Sequence, residues 1–297
     1  MPAKTKIEWA DYISNPIKAR NLMSGKQGHA CIKISEGCAH CWASGFNVRL
    51  GTGLEYTYWN RDKVDFFLDE KELKKISTFN PRDPFKWGRE RAVVFPCDMT
   101  DLFGSWVPVE WIDRIFHAMW MCQGVDWLVL TKRSYRMITY LTDKYDAGKA
   151  ALNNIYLGCS VENQKRANMR REDMRAIAEI GWMTWVSFEP ALEVVNWAGW
   201  EFLNGLICGG ESGAQARPMP PMAAREALNF CADHDIPFFF KQWGEWIPLD
   251  HLAWVTDRTT FTHKPVQVGE DLMVRVGKGL AGRVLDGSVY SNMPGSR

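Results

Sequence analysis

From about residue 91 onward, apolar and polar positions follow one repeating pattern, which predicts a strand followed by a helix. A short apolar, β-branched run comes first, then a polar cluster, then a longer stretch with apolar residues three and four positions apart. Runs this apolar are typical of strands that are buried on both faces, as in a parallel sheet. The predicted strands cover residues 91–96, 126–131, 154–160, 183–188, 205–210 and 237–243.

The stretches between these strands predict crossover helices over 108–123, 164–180 and 221–235, and a further helix is predicted over 61–76. From about Trp246, alternating residues and turn-forming residues indicate a small β-rich segment. The sequence therefore predicts an α/β fold. Its main part is a partial parallel (β/α)6-type barrel over 1–245, followed by a small β-rich C-terminal appendage over 246–297.

Each predicted strand is followed by polar or charged residues. Because parallel strands in a β/α barrel end on the same face, we expect these side chains to converge on one pocket. In chain order they are Asp98, Thr100, Asp101, Lys132, Arg133, Ser160, Glu162, Ser187, Glu189, Glu211, Ser212, Lys241 and Gln242.

The charge balance gives no long-range attraction to a polyanion. The chain has 36 Lys and Arg against 35 Asp and Glu, a formal net charge of +1, so a nucleic acid or an anionic lipid must be bound by a local surface. No stretch has the roughly 18 consecutive apolar residues of a membrane span, and the N-terminus lacks an apolar leader segment. We expect a cytoplasmic protein with no membrane partner.

Three of the eight cysteines lie close together. Cys31, Cys38 and Cys41 have the spacing C-x6-C-x2-C. Three thiolates can hold three irons of a [4Fe–4S] cluster and leave the fourth iron open, which is where S-adenosylmethionine would bind. A structural zinc site is the alternative, because C-x2-C is also a zinc half-site and His29 or His40 could be a fourth ligand. The spacing alone leaves both interpretations open.

Nine segments carry a resemblance to a known family. They are TKIEWAD (5–11), EGCAHCWA (36–43), DMTDLF (98–103), VLTKR (129–133), LGCSVENQ (157–164), VSFEP (186–190), GGESGAQARPM (209–219), FFFKQWGEW (238–246) and AGRVLDG (281–287). With these the chain resembles, almost end to end, the phage-type three-cysteine-motif proteins assigned to the radical S-adenosylmethionine superfamily. It differs from them by an insertion between Pro16 and Cys31, and by Trp42 where they usually have tyrosine.

The resemblance implies roles for the residues that follow the strands. The methionyl amino group is expected near Asp98, Thr100 and Asp101, and its carboxylate or a substrate phosphate near Lys132 and Arg133. Ribose contacts are expected from Ser160 and Glu162, and further cofactor contacts from Ser187 and Glu189. The expected substrate-binding residues are Glu211, Arg217, Lys241, Gln242 and Trp243.

Structural alternatives stand beside these roles: a helix N-cap for Thr100 or Asp101, a solvated loop for Lys132 and Arg133, a buried salt bridge for Glu189. Most of the 15 tryptophans are expected in the core.

The implied activity is reductive cleavage of S-adenosylmethionine to a 5′-deoxyadenosyl radical that abstracts hydrogen from a substrate. A modified thymine or nucleotide in phage DNA hypermodification is the substrate hypothesis, and a flavodoxin or ferredoxin type protein is the expected electron donor. Two other functional classes are alternatives. One is a glycosidase-like barrel that uses Glu162, Glu189 or Glu211. The other is a zinc-stabilised module that binds protein or nucleic acid, for example through the basic stretch 164–173.

Overall fold

The computed structural model describes residues 1–82, 84–145, 152–255 and 264–295. The α-helices are α1 Trp42–Leu50, α2 Glu70–Ser77, α3 Val109–Met121, α4 Ser134–Lys144, α5 Gln164–Glu179, α6 Pro221–Asp233, α7 Leu252–Val255 and α8 Lys278–Ala281. The strands are β1 Ala3–Lys4, β2 Tyr12–Ser14, β3 Ile17–Asn21, β4 Gln27–Gly28, β5 Val64–Leu68, β6 Ala92–Pro96, β7 Val125–Thr131, β8 Ile155–Ser160, β9 Met183–Phe188, β10 Leu206–Gly209, β11 Phe238–Gln242, β12 Trp246–Pro248, β13 Val266–Val268 and β14 Asp271–Arg275.

Eight strands form the main sheet, in the order β1-β2-β6-β7-β8-β9-β10-β11. The six predicted strands are β6 to β11, in sequence order, and the order begins and ends at different strands, as in a partial rather than a closed barrel. The pairs β2–β6, β6–β7, β7–β8, β9–β10 and β10–β11 are parallel, and the short β1 is antiparallel to its neighbour β2. The predicted α/β fold with a largely parallel sheet is confirmed.

Burial explains why these runs form strands. Every residue of β10 is buried, as are five of the six residues of β9, so both faces of the sheet are covered. The crossover helices α3, α5 and α6 lie where the sequence predicts them. In α3 the buried residues follow a helical spacing, including Ile112, Ile115 and Met119.

The first compact unit comprises Met1–Cys159 and Ala176–Met183. It contains a second sheet, in the order β4-β3-β5. Strands β3 and β4 pair as an antiparallel hairpin inside the insertion that precedes Cys31. The insertion is therefore an ordered part of this unit.

The predicted helix over 61–76 is wrong in its first half. Residues Val64–Leu68 are strand β5, which pairs antiparallel with all of β3. Helix α2 begins only after Asp69, whose Oδ1 accepts hydrogen bonds from the backbone N–H groups of Lys71 and Glu72, at 3.0 and 3.1 Å. This N-cap ends the strand and starts the helix.

The second compact unit comprises Ser160–Arg175 and Thr184–Arg297. It contains a three-stranded antiparallel sheet in the order β12-β14-β13. The predicted small β-rich segment near the C-terminus is confirmed, with residues 256–263 and 296–297 outside the described residues. Over the described chain, every helix is too short or too polar to cross a bilayer.

Candidate functional site

The eight cysteines fall into two groups by exposure. Cys31, Cys38 and Cys41 are half-buried, whereas the other five are buried: Cys97, Cys122, Cys159, Cys208 and Cys231. Buried thiols behave as small apolar groups. The three thiols of the C-x6-C-x2-C segment are the ones open to a ligand.

The cysteine loop belongs to the first unit. Cys38 ends a short 3-10 helix, Glu36–Cys38, and its Sγ lies 3.5 Å from Ser35 Oγ. Cys41 is the N-cap residue of α1. Across the loop, the Lys33 ammonium group donates to Ala39 O at 3.1 Å. These contacts give each cysteine a defined position in the loop.

Residues that follow β6 and β7 hold the two carbonyl groups beside Cys31. Thr100 Oγ1 donates to Ala30 O at 2.7 Å, and Arg133 Nη2 donates to Ile32 O at 3.0 Å. Two of the predicted strand-end residues therefore contact the cysteine loop directly.

Asp101 is the centre of a hydrogen-bond network in this region. Its Oδ1 accepts from Thr131 Oγ1 at 2.6 Å and from Phe103 N at 3.0 Å. Its Oδ2 accepts from Arg133 Nη1 at 2.7 Å and from Lys132 N at 3.2 Å. The carboxylate thus holds the Arg133 guanidinium group, which also lies 4.8 Å from the ring centroid of Trp106. Asp101 links β7 to the loop after β6.

Asp98 differs from Asp101 because one of its oxygens is unused. Asn15 Nδ2 donates to Asp98 Oδ1 at 2.5 Å. The other oxygen, Oδ2, is buried and has no hydrogen-bond partner among the described residues. Burial raises the pKa of Asp98 from 3.8 to about 6, against the lowering effect of the Asn15 bond. A buried acceptor without a donor is costly, and such groups occur at functional sites.

Tyr56 is a site residue that the sequence reading missed. Together with Ala43 and Met99 it forms a buried cluster against which Cys31 and Cys41 pack. Its hydroxyl group donates to Met99 O at 2.7 Å, directly after Asp98. The side chain therefore connects the cysteine loop to the segment that follows β6. An aromatic residue in a loop has no motif that would have marked this role.

The three thiols of the cysteine loop are close enough to affect the pKa of Cys31. Burial raises the pKa of the Cys31 thiol to about 12, and Asp101, Cys38 and Cys41 contribute in the same direction, against Arg133. Within the described residues, no three His, Cys, Asp or Glu side chains surround a single point as ligands of one metal ion. A cubane cluster takes one thiolate on each of three irons, so it does not require such convergence.

The second unit places its strand-end residues in ion pairs. Glu162, which is completely buried, accepts from Arg170 Nη1 at 2.8 Å through Oε2. Arg170 also donates to the carbonyl oxygen of Ser160. Both side chains are almost inaccessible, with exposed fractions of 0% for Glu162 and 5% for Arg170. The predicted ribose contacts of Ser160 and Glu162 stay a prediction.

Glu189 lies between two predicted site residues. Ser187 Oγ donates to Glu189 Oε2 at 3.0 Å, and Lys241 Nζ lies 2.7 Å from Oε1. The backbone of Gly209 passes so close that a Cβ atom there would lie 3.0 Å from Glu189 Oε1. The ends of β9, β10 and β11 thus meet around this carboxylate.

Glu211 and Arg217 form a paired unit within GGESGAQARPM. Arg217 Nε and Nη2 donate to Oε2 and Oε1 of Glu211, at 2.9 and 2.7 Å, and the backbone N–H of Arg217 also donates to Oε2. The bend after β11 requires glycine: Gly244 has φ +89°, and a Cβ there would lie 2.1 Å from Glu211 O.

The last two predicted substrate residues are both buried but differ in their polar contacts. Gln242 Nε2 donates to Gly210 O at 3.0 Å, while its buried Oε1 has no partner among the described residues. Trp243 is buried, and its indole N–H donates to Val284 O at 2.7 Å. It packs edge-on against Phe240 and His251. Gln242 offers a polar atom, whereas Trp243 is a core residue in the described chain.

A protein-family model described as "Protein of unknown function (DUF5131)" matches residues 4–294 of the chain. The chain therefore belongs to the DUF5131 family. No curated protein is significantly similar to it.

Several solved structures of spore photoproduct lyase are similar to this chain. The form with bound AdoMet and dinucleoside spore photoproduct has 12% sequence identity and a TM-score of 0.41. A complex with dinucleoside spore photoproduct has 13% sequence identity and a TM-score of 0.39. A single-site mutant of the same enzyme has 14% sequence identity and a TM-score of 0.39. Each match covers 93% of this chain and 71% of the other. Scores of this size do not establish a shared activity, so the function depends on the residues of this chain.

Proposed function

We propose that this member of the DUF5131 family is a radical S-adenosylmethionine enzyme whose Cys31, Cys38 and Cys41 hold a [4Fe–4S] cluster. One observation carries the proposal. The three half-buried thiols lie in a single loop that is hydrogen-bonded to residues after β6 and β7, while the other five thiols are buried.

The donor set fits such a cluster. Three cysteine thiols in one short loop match the three protein ligands of a cubane with one open iron. The unpartnered Oδ2 of Asp98 lies in the same unit, in the loop joined to the cysteines through Tyr56. A bound cluster with S-adenosylmethionine supplies one-electron reductive cleavage of the S–C5′ bond, giving a 5′-deoxyadenosyl radical that takes hydrogen from the substrate.

The protein residues bind and orient the cofactor. Asp98 Oδ2 is an acceptor for the methionyl ammonium group, whose positive charge would also favour the ionised carboxylate. Arg133 is held by Asp101, and with Lys132 it is suited to bind a carboxylate or a phosphate through charge-assisted hydrogen bonds. Thr100 positions the backbone next to Cys31.

In the second unit we assign the remaining contacts to groups with accessible polar atoms. Glu189, held by Ser187 and Lys241, is proposed to contact the cofactor or the substrate, with Arg217 on the substrate side. Glu162, enclosed with Arg170, is proposed to fix the strand end that carries Ser160. The proposed substrate is a nucleotide or DNA, such as a modified thymine in phage DNA, and the electron would come from a flavodoxin or ferredoxin type donor in the cytoplasm.

Anaerobic reconstitution tests the cluster. The protein is expected to bind about four irons and four sulfides and to absorb broadly near ~400 nm, with bleaching by dithionite. One tightly bound zinc, no colour after reconstitution and a fold that depends on that zinc would contradict the proposal and support the zinc-stabilised module.

Matched cysteine variants sharpen this test. Cys31→Ala, Cys38→Ala and Cys41→Ala should each lower the iron content. Cys159→Ala and Cys208→Ala should keep it, because those thiols are buried within strands β8 and β10 and contribute only packing. Equal iron loss in both sets would mean that the loop does not hold the cluster.

A further inference from the structure

Two large aromatic side chains that follow the cysteine loop in the chain are exposed. Tyr58 and Trp59 have exposed fractions of 63% and 80%. Their rings meet edge to face, with centroids 5.5 Å apart. A tryptophan exposed to this extent leaves much apolar surface in water, and exposed apolar surface of this kind marks a binding site when it lies beside a functional cleft.

The turn that carries this pair also lines a small cleft that reaches a cluster cysteine. The cleft is lined by Ala30, Cys31 and Ile32 of the cysteine loop and by Thr57, Asn60 and Arg61. Tyr58 and Trp59 lie between Thr57 and Asn60 in the chain, at the start of the 3-10 helix Tyr58–Lys63. The same turn therefore presents the aromatic pair and contributes to the lining of the cleft.

This 3-10 helix is fixed by its own hydrogen bonds. Asn60 Nδ2 donates to Glu55 O at 3.1 Å, Lys63 Nζ donates to Asn60 Oδ1 at 2.9 Å, and Asn60 N donates to Thr57 O at 3.3 Å. The aromatic pair is therefore presented on a defined turn, so little ordering is needed when a ligand binds.

The surrounding segment is positive although the chain as a whole is nearly neutral. Residues 17–63 contain seven Lys and Arg against three Asp and Glu, whereas the whole chain has a net charge of +1. Arg61 is exposed, and its side chain makes no hydrogen bond or ion pair with any described residue. Asp62 and Glu55 are exposed nearby and reduce the local charge without reversing it.

We propose that Tyr58 and Trp59 form a stacking platform for unpaired nucleobases, with Arg61 on the adjoining phosphate. The inference rests on the proposed function and narrows its substrate class to an unpaired stretch of nucleic acid. Aromatic rings stack on every base, and a positive groove follows the backbone, which together bind single strands without sequence preference.

A protein partner fits this surface less well. Charged residues are depleted at the centre of protein–protein interfaces. Here Arg61, Asp62 and Lys63 follow the aromatic pair after one intervening residue, Asn60, so charged and aromatic side chains are close together in the chain. An arrangement of this kind is suited to a ligand whose flat apolar rings alternate with phosphates.

Fluorescence anisotropy with labelled 20-nucleotide oligomers tests the proposal on the full chain. The arms are single-stranded oligothymidylate, the matching oligouridylate and a duplex of the same length. We expect single strands to bind more tightly than the duplex. Trp59→Ala should weaken single-strand binding by about 5- to 100-fold, as loss of one stacked base predicts, and Trp59→Phe should largely restore it. Arg61→Gln should reduce the slope of log K against log salt by roughly 0.7.

Trp120→Ala is the matched control, because Trp120 is a half-exposed tryptophan on α3. It should leave binding unchanged. Wild-type failure to bind any oligomer, or equal binding by Trp59→Ala and wild type, would overturn the platform. Self-association that Trp59→Ala abolishes, without oligomer binding, would overturn it in favour of a contact between copies. Binding needs no cluster, so these results are independent of the iron test above.

Discussion

Asp98 of the first unit differs from the strand-end carboxylates Glu162 and Glu211 of the second unit. In the second unit, Glu162 is buried with Arg170, and Glu211 is bound at both oxygens by Arg217. In the first unit, Asp101 is likewise held by Arg133. Asp98 is half-buried, and its buried Oδ2 has no partner among the described residues. The paired carboxylates are satisfied within the protein, whereas Asp98 can accept a donor from outside.

This difference separates structural groups from binding groups. Removing the partner of a paired, buried carboxylate leaves a charge without compensation and destabilises the fold. Neutralising an unpaired, buried carboxylate removes the cost of desolvating its charge and stabilises the fold. The change in unfolding free energy should therefore have one sign when the partner of Glu162 is removed and the opposite sign when Asp98 is neutralised.

The largest effect is expected at Arg170. Arg170→Met should lower the free energy of unfolding by about 3–5 kcal/mol, because Glu162 is left charged and buried. Urea denaturation measures this. The double variant Glu162→Gln, Arg170→Met should recover most of the loss. If it recovers none, the cost comes from packing of the Arg170 side chain rather than from charge.

Asp98→Asn is the opposite case. The folded-state pKa of Asp98, about 6, lies above its ordinary 3.8, so the folded state binds the proton more tightly. Wild-type stability should fall as pH rises from about 4 to about 6, by about 3 kcal/mol for a shift of this size. The Asn variant should lack this fall and be more stable than wild type at pH 7.

The same variant should bind S-adenosylmethionine more weakly, because it cannot attract the methionyl ammonium group. Calorimetric titration on reconstituted protein checks this. A variant that is both less stable at pH 7 and normal in cofactor binding would show that Asp98 is a structural group like Glu162.

Glu189→Gln lies between these cases. The substitution keeps the volume but leaves the Lys241 ammonium group without its carboxylate, at a cost of about 1.5–3 kcal/mol. Cofactor or substrate use should be weakened while the iron content stays at that of wild type. Loss of iron in this variant would mean that Glu189 supports the cluster region instead.

The smallest effect is expected at Tyr56. Tyr56→Phe removes the hydrogen bond to Met99 O and should cost about 1 kcal/mol. Thermal unfolding measures the change, and Tyr140→Phe, which loses a hydroxyl contact to Asp113, is a control in the same unit. A much larger loss of bound iron in Tyr56→Phe than in Tyr140→Phe would indicate that the hydroxyl group positions the cysteine loop.

The sequence predicted those parts of the fold that are encoded locally. The six apolar runs became β6 to β11 because each is a short apolar segment bounded by polar residues. Strand β5 was missed because its partner, β3, lies far away in the chain. The charged residues on either side of β5 also suit a helix. Helices α1 and α4 were not singled out, and the boundary at residue 245 stays a prediction.

Residue types with a distinctive chemistry could be recognised in the sequence as site residues. The hydrogen-bond and ion-pair partners of site residues could not. The cysteine triplet stood out because thiols are rare and closely spaced. The Arg170 that neutralises Glu162 did not, since it comes from a helix face that reads as solvated. Tyr56 makes one hydrogen bond and Asn15 makes two to the loop after β6, and such bonds have no sequence signature.

The most direct test of the central claim is release of 5′-deoxyadenosine from S-adenosylmethionine by the anaerobically reconstituted, dithionite-reduced protein. The account predicts release by wild type and by Cys159→Ala, and none by Cys31→Ala, Cys38→Ala or Cys41→Ala, since each of these leaves an iron without its thiolate. Undiminished release from any one of the three loop variants, or no release from iron-loaded wild type, would contradict it.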